Sequence, residues 1–215
     1  MRNWSYSMFP SLTREDVFRI ETPRLWLRWP QLDDATSMAR WVGLPDVATM
    51  TSTFKVGMSV DEVGERLAHV RANNCSGRSL AFVITPKGCD GVVVGMLGVS
   101  VQPGGRLELG YHLDPAHWGS GCMTEAVGAL TEQVFDLTPA ANIGASVQPS
   151  NGASIRVLEK CGFKVTGTGA HESPSYGRYP VINYGLARAR PSPLLAALHR
   201  RAAGPKMEHD LVGLV

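Results

Sequence analysis

An α+β fold is predicted for this chain: a mixed sheet with helices packed on it, in the element order βααβββαβαββ. Three observations carry that expectation. Three strand-like runs between residues 80 and 113 follow one another with only turn residues between them, which excludes a doubly wound parallel sheet built on crossover helices. The third, residues 107–113, passes through a glycine turn straight into an amphipathic helix. The length of 215 residues, with 44% apolar and 19% charged side chains, suits one globular domain with a full core.

Residues 1–18 form an N-terminal arm, whose Trp4, Tyr6 and Phe9 would pin it onto the body of the protein or onto a second subunit; a homodimer is therefore open. A first strand lies within residues 20–29, where Leu25, Leu27 and Trp29 alternate with Trp26 and Arg28, and Pro30 ends it. Asp33 or Asp34 then caps a helix to about Val42, with Ala35, Met38, Ala39 and Val42 on its buried stripe. Residues 43–58 read as a loop. Ser59 and Glu62 have capping-box spacing ahead of a helix over 60–73, lined by Val63, Leu67 and Val70. Strands follow at 80–85 and 92–101, joined by a turn-rich connection, and Pro103-Gly104-Gly105 leads into the strand at 107–113.

In that strand Leu107, Leu109, Tyr111 and Leu113 take one face, while Glu108 and His112 take the other. Asp114-Pro115 breaks it, Trp118-Gly119-Ser120-Gly121-Cys122 turns the chain, and Ala126, Leu130 and Val134 stripe a helix reaching about Phe135. A fifth strand covers 142–147. Asn151 suits the N-cap of a helix carrying Ile155, Leu158 and Cys161, which Gly162 closes. Strands at 163–166 and 181–186 finish the order, separated by a loop over 167–180 that holds His171, Glu172, Tyr176, Arg178 and Tyr179. Residues 188–215 shift to Ala, Pro, Arg and Leu, a surface tail with one short helix near 194–201.

The charge balance, 21 basic against 19 acidic side chains for a net +2, gives no electrostatic case for nucleic acid or an anionic membrane. No apolar run approaches the roughly 20 residues that span a bilayer. The first residues have no apolar signal-like core, so Cys75, Cys89, Cys122 and Cys161, which lack CxxC or Cys/His spacing, are expected as free thiols of a cytoplasmic protein, with no metal.

Strand, glycine turn and helix together make a recipe for holding an anion. The first N–H groups of a helix lack internal partners, the dipole puts partial positive charge there, and glycines 119 and 121 allow close approach. Thr124 stands where a dinucleotide fingerprint needs its third glycine, and there is no Gly-Lys-Ser/Thr of a P-loop. On this stretch alone, a structural turn and an anion cradle are both open.

Two segments resemble the GNAT superfamily of N-acetyltransferases, and within it the ribosomal-protein N-terminal acetyltransferase (RimJ/RimL-like) branch. One is ELGYHLDPAHWGSGCMTEAV, beginning at Glu108; the other is NGASIRVLEKCGF, from Asn151 to Phe163. The opening Glu21-Thr22-Pro23-Arg24-Leu25 through Arg28, followed by Asp33-Asp34, is similar to the same branch. The resemblance covers about residues 19–187 and implies a mostly antiparallel sheet of about seven strands with helices on both faces. It implies acetyl-CoA as co-substrate, with its pyrophosphate on the amides of Trp118, Gly119, Ser120, Gly121, Cys122, Met123 and Thr124. The pantetheine would run along Tyr111, His112 and Leu113, with Asn151 on its arm and Arg156 or Lys160 toward the nucleotide. Two positions depart from the family pattern: Ala116 stands where Gln or Arg is usual, and Leu158 where many members carry a tyrosine acid.

Acetyl transfer needs a neutral amine, a polarised carbonyl and an exit for the thiolate. Glu108 is the expected base, directly or through a water, and the Leu113 amide would polarise the carbonyl. Ser154 is the expected proton donor by family analogy. His112 shares the Glu108 face as either a packed or an active histidine, and Cys122 is not expected to be a nucleophile. The acceptor is a primary amine, of a protein N-terminus or a small molecule, received by the 43–58 and 167–180 segments. An aminoglycoside- or polyamine-type detoxifying enzyme and a non-catalytic acyl-CoA-binding regulatory module are the alternatives.

Overall fold

A computed structural model describes residues 7–51, 53–173 and 177–189. Trp4, Tyr6, Tyr176 and the helix expected near 194–201 lie outside the described residues.

Among the described residues eight strands form one sheet: β1 (Arg19–Glu21), β2 (Leu25–Arg28), β3 (Ser79–Pro86), β4 (Gly95–Val101), β5 (Leu107–Leu113), β6 (Asn142–Val147), β7 (Lys164–Ser173) and β8 (Gly177–Ala187). Their order across the sheet is β1-β2-β3-β4-β5-β6-β8-β7, and every neighbouring pair is antiparallel except β5–β6. Among the described residues five α-helices accompany them: α1 (Asp34–Val42), α2 (Pro45–Ala48), α3 (Val60–Cys75), α4 (Cys122–Leu137) and α5 (Gly152–Lys160).

Strand β3 shows why the sheet needs two covers. Leu80, Phe82 and Ile84 belong to the core under α4 and α5, while Ala81 and Val83 belong to the core under α1, α2 and α3. With both faces covered, period-two alternation gives an unbroken buried run rather than an amphipathic one. Removing each such large side chain from water contributes about 1.5–3 kcal/mol. Phe9 is fully buried in the α4–α5 core and Phe18 packs at 6.0 Å from Phe82, so this part of the arm is anchored on its own domain.

Four differences from the sequence expectations have local causes. The first strand is two, because the Thr22 hydroxyl accepts the Leu25 N–H (2.9 Å) and the Thr22 N–H bonds the Leu25 carbonyl (3.0 Å), closing a β1–β2 turn around Pro23. Within the 43–58 segment, Pro45 at the first helical position starts the single turn of α2. Residues 167–173 and 177–180 lengthen β7 and β8, which pair with His171 opposite Tyr179; the described side chains there are mostly exposed, so no apolar alternation marks them. At the start of α1 neither aspartate gives a side-chain N-cap. Asp33 makes no cap bond, and Asp34 instead takes both terminal nitrogens of Arg28 (2.9 and 2.7 Å) and the Gln31 amide (2.7 Å). The Ser59–Glu62 capping box is formed in both directions.

Candidate active site

The parallel pairing of β5 with β6 covers only Leu107↔Ile143, Glu108↔Gly144 and Leu109↔Ala145. Beyond Leu109 the strands part, β5 staying with β4 to Leu113 and β6 staying with β8 to Val147. The split leaves one edge of residues 110–113 without a strand partner and opens a cavity of about 600 Å³. Its lining includes Gly119 and Gly121 of the glycine turn, Thr124 of α4, and Asn151, Ser154, Arg156 and Lys160 of the α5 segment. It also includes Asp46, Thr49, Met50 and Thr51 from the α2 region, with His171 and Tyr179 from β7 and β8.

The turn itself requires glycine. Gly119 and Gly121 have φ of +75° and +80°, a region that side chains with a Cβ disfavour, and a Cβ on Gly119 would meet nothing within 4 Å. The backbone there is therefore open to a ligand. Trp118 is half exposed and its indole N–H donates to the Leu113 carbonyl (2.9 Å), tying the turn to the end of β5. The Ser120 hydroxyl donates to the His117 carbonyl (2.6 Å). Cys122 and Met123 turn their side chains into the core, so they present backbone rather than side-chain groups at the start of α4. That fits an anion at a helix N-terminus, whose first amides have no internal acceptor.

Alternation in β5 divides the site between the two faces of the sheet. On the α4–α5 face, the Tyr111 hydroxyl lies 2.7 Å from Ser154 Oγ and 3.1 Å from the Ser154 carbonyl. Burial first, with Cys161 and Tyr184 adding to it, raises the Tyr111 phenol well above its ordinary range against the opposing Ser154 bond, so it is a neutral hydrogen-bonding group. Asn151 caps α5, its Oδ1 accepting the Ser154 N–H (3.0 Å), which fixes the turn that carries Ser154. Leu158 is buried in the core; the phenol near α5 comes instead from Tyr111 on β5.

On the opposite face, Glu108 Oε1 accepts the Ser146 hydroxyl at 2.8 Å, with the Asn183 carboxamide 3.2 Å behind that hydroxyl. A Cβ at position 144 would come within 2.7 Å of Glu108 Oε2, so Gly144 makes room for the carboxylate. His112 packs edge-on against Phe54 at 4.6 Å, and burial, with Arg66 adding to it, pushes its imidazole down to about 4. It is a neutral, packed histidine at neutral pH. Ser146, Asn183 and Phe54 are partners that the sequence did not single out. For Ser146 a signal existed: alternation in β6 puts Ile143, Ala145 and Val147 in the core and Ser146 on the Glu108 side.

Comparison with known proteins identifies the family and the fold. Residues 24–164 match the family model described as an acetyltransferase (GNAT) domain. An uncharacterized N-acetyltransferase p20 of Bacillus licheniformis is 31% identical over 148 residues, 68% of this chain and 82% of that protein. Among solved structures, Mycobacterium smegmatis RimJ in complex with CoA-disulfide superposes with a TM-score of 0.66 at 24% identity, covering 87% of this chain and 93% of that one. The microcin C7 self-immunity acetyltransferase MccE, in complex with acetyl-CoA and AMP, gives 0.69 at 16% identity, covering 85% and 99%. The two structural likenesses speak for the fold; the family model and the Bacillus relative speak for the lineage. The chain belongs to the GNAT acetyltransferase family and is an N-acetyltransferase.

Proposed function

We propose that acetyl-CoA lies in the β5–β6 split, with its diphosphate at the Gly119–Gly121 turn, and that its acetyl group passes directly to a primary amine entering from the Glu108 face. The observation that carries this is the division of groups across the split: Tyr111 and Ser154 on the α4–α5 face, Glu108 and Ser146 on the other. Catalysis by ternary complex needs a proton acceptor at the amine and a hydrogen-bond donor at the sulfur, on opposite sides of the thioester.

In this reading Glu108 takes one proton from the amine as the C–N bond forms, directly or through one water, while Ser146 and Gly144 keep the carboxylate in place. The Leu113 amide donates to the carbonyl oxygen. Ser154 keeps its proton and donates a hydrogen bond to the sulfur as the C–S bond breaks and the thiolate leaves. Tyr111, held neutral by burial, orients the Ser154 hydroxyl rather than ionising. The products are an N-acetylated amine, the CoA thiolate and one proton on Glu108, which passes to solvent. The acceptor sits among Asp46, Thr49, Thr51 and Tyr179, and both a protein N-terminus and a small amine suit a site of that composition.

The test is a thermal-shift titration with acetyl-CoA against other nucleotides, followed by a CoA-release screen over peptide and small amines. A shift specific to acetyl-CoA and turnover on at least one amine class are expected. Binding without turnover on any amine would replace catalysis with an acyl-CoA-sensing role.

A further inference from the structure

Two motifs that lie far apart in the chain meet behind the glycine turn. Thr22 and Arg24, from the β1–β2 turn, enclose Glu125 in the first turn of α4. The Thr22 hydroxyl donates to Glu125 Oε1 (2.7 Å), the Arg24 amide donates to the same oxygen (2.9 Å), and Arg24 Nε donates to Oε2 (2.6 Å). Arg24 Nη1 also donates to the Ser120 carbonyl (3.0 Å), and Nη2 stands 3.5 Å from where Gly121 would carry a Cβ.

This matters for the anion site in two ways. A peptide unit is planar and trans, so its C=O and N–H point in opposite directions. With the Ser120 carbonyl drawn to Arg24, the Gly121 N–H is directed away from Arg24, and Gly121, not Arg24, lines the cavity. The second point is charge. Glu125 in the first turn of a helix uses the same positive helix end that a diphosphate would use, and uncompensated it would repel that group. Burial alone would raise the Glu125 carboxyl, but the Thr22 hydroxyl and the Arg24 amide and guanidinium outweigh it and hold it below its ordinary range.

We propose that Arg24 is a positioning residue for acetyl-CoA, orienting the Gly121 amide through the Ser120 carbonyl and cancelling the Glu125 charge beside the diphosphate. The inference rests on the cofactor placement proposed above.

The experiment titrates acetyl-CoA into the wild-type protein, Arg24→Ala and the double variant Arg24→Ala/Glu125→Gln at 50 and 500 mM NaCl, with steady-state kinetics alongside. Arg24→Ala is expected to weaken acetyl-CoA binding about tenfold. The kcat at saturating acetyl-CoA should stay within about twofold, because Arg24 is remote from the reacting carbon. The double variant should bind more tightly than Arg24→Ala, and the Arg24→Ala deficit should shrink at high salt as the bare carboxylate is screened. A simple structural brace predicts neither recovery. Should Arg24→Ala not fold, Arg24→Gln, which keeps hydrogen-bonding groups and loses the charge, takes its place with the same expectations. Wild-type affinity in the arginine variant, or equal weakness of the single and double variants at both salts, overturns the proposal. Failure of the wild-type protein to bind acetyl-CoA instead overturns the cofactor placement itself.

Discussion

The hydroxyl of Tyr111 on β5 stands 2.7 Å from the Oγ of Ser154 on α5, a contact between residues 43 positions apart. It places a half-buried, neutral phenol behind a serine that lines the proposed thioester site. If Tyr111 acts through Ser154, losing its hydroxyl costs one neutral hydrogen bond, roughly 1 kcal/mol or about fivefold in kcat. Tyr111→Phe should therefore lower kcat by that factor with KM for acetyl-CoA within about twofold, Ser154→Ala should lower it further, and the double variant should be no worse than Ser154→Ala. Steady-state kinetics on the three variants decides this; additive losses would separate the two residues.

Glu108→Gln keeps the shape of the side chain beside Ser146 but removes the proton acceptor. A loss of about 100-fold or more in kcat at neutral pH is expected. The acidic limb of the pH–rate profile should disappear with it. An unchanged profile would assign the limb to another group.

His112 links the site to stability. Its imidazole is pushed down to about 4 in the folded protein, against an ordinary value of 6.5. The unfolded chain therefore binds more protons than the folded one between those values, and stability rises with pH across the window. Falling from pH 7 to pH 4 should cost about 2–3 kcal/mol through this residue. Denaturant unfolding at pH 7, 5.5 and 4.5 should show that slope, and His112→Gln should flatten it.

Arg188 closes the far end of α4. Its guanidinium donates to the carbonyls of Phe135, Thr138 and Ala140, and its own N–H bonds the Ala141 carbonyl. A cation there also suits the negative end of the helix dipole. Arg188→Ala should lower unfolding stability by about 2–3 kcal/mol, with little change in KM for acetyl-CoA. Chemical denaturation of both proteins checks it.

Much of the fold is legible in the sequence wherever proline, glycine and alternation coincide. Strand 107–113 sits between Pro103-Gly104-Gly105 and Asp114-Pro115, and 142–147 alternates cleanly, so β5 and β6 match the expected bounds. Strands expected at 163–166 and 181–186 fall in β7 and β8, but their outer extension over 167–173 and 177–180 escapes because its side chains are largely exposed and give no apolar period. For the site, the sequence names Glu108, Tyr111, Ser154 and Asn151 separately. It does not say that Tyr111 meets Ser154, that Ser146 holds Glu108, or that Arg24 encloses Glu125 across 101 positions. Those relations follow from strand register and helix docking, which local spacing does not encode.

Acetyl-CoA binding in the β5–β6 split, as proposed, depends on the glycine turn. Gly121 holds φ +80°, and a valine there is strongly disfavoured in that region, so Gly121→Val must rearrange the turn. Isothermal titration of acetyl-CoA into the wild-type and Gly121→Val proteins, each first shown to be folded, tests it directly. Stoichiometric binding by the wild type and at least a roughly 100-fold weaker affinity in the variant, about 2.7 kcal/mol, are expected. Equal affinity in the two proteins would contradict that dependence.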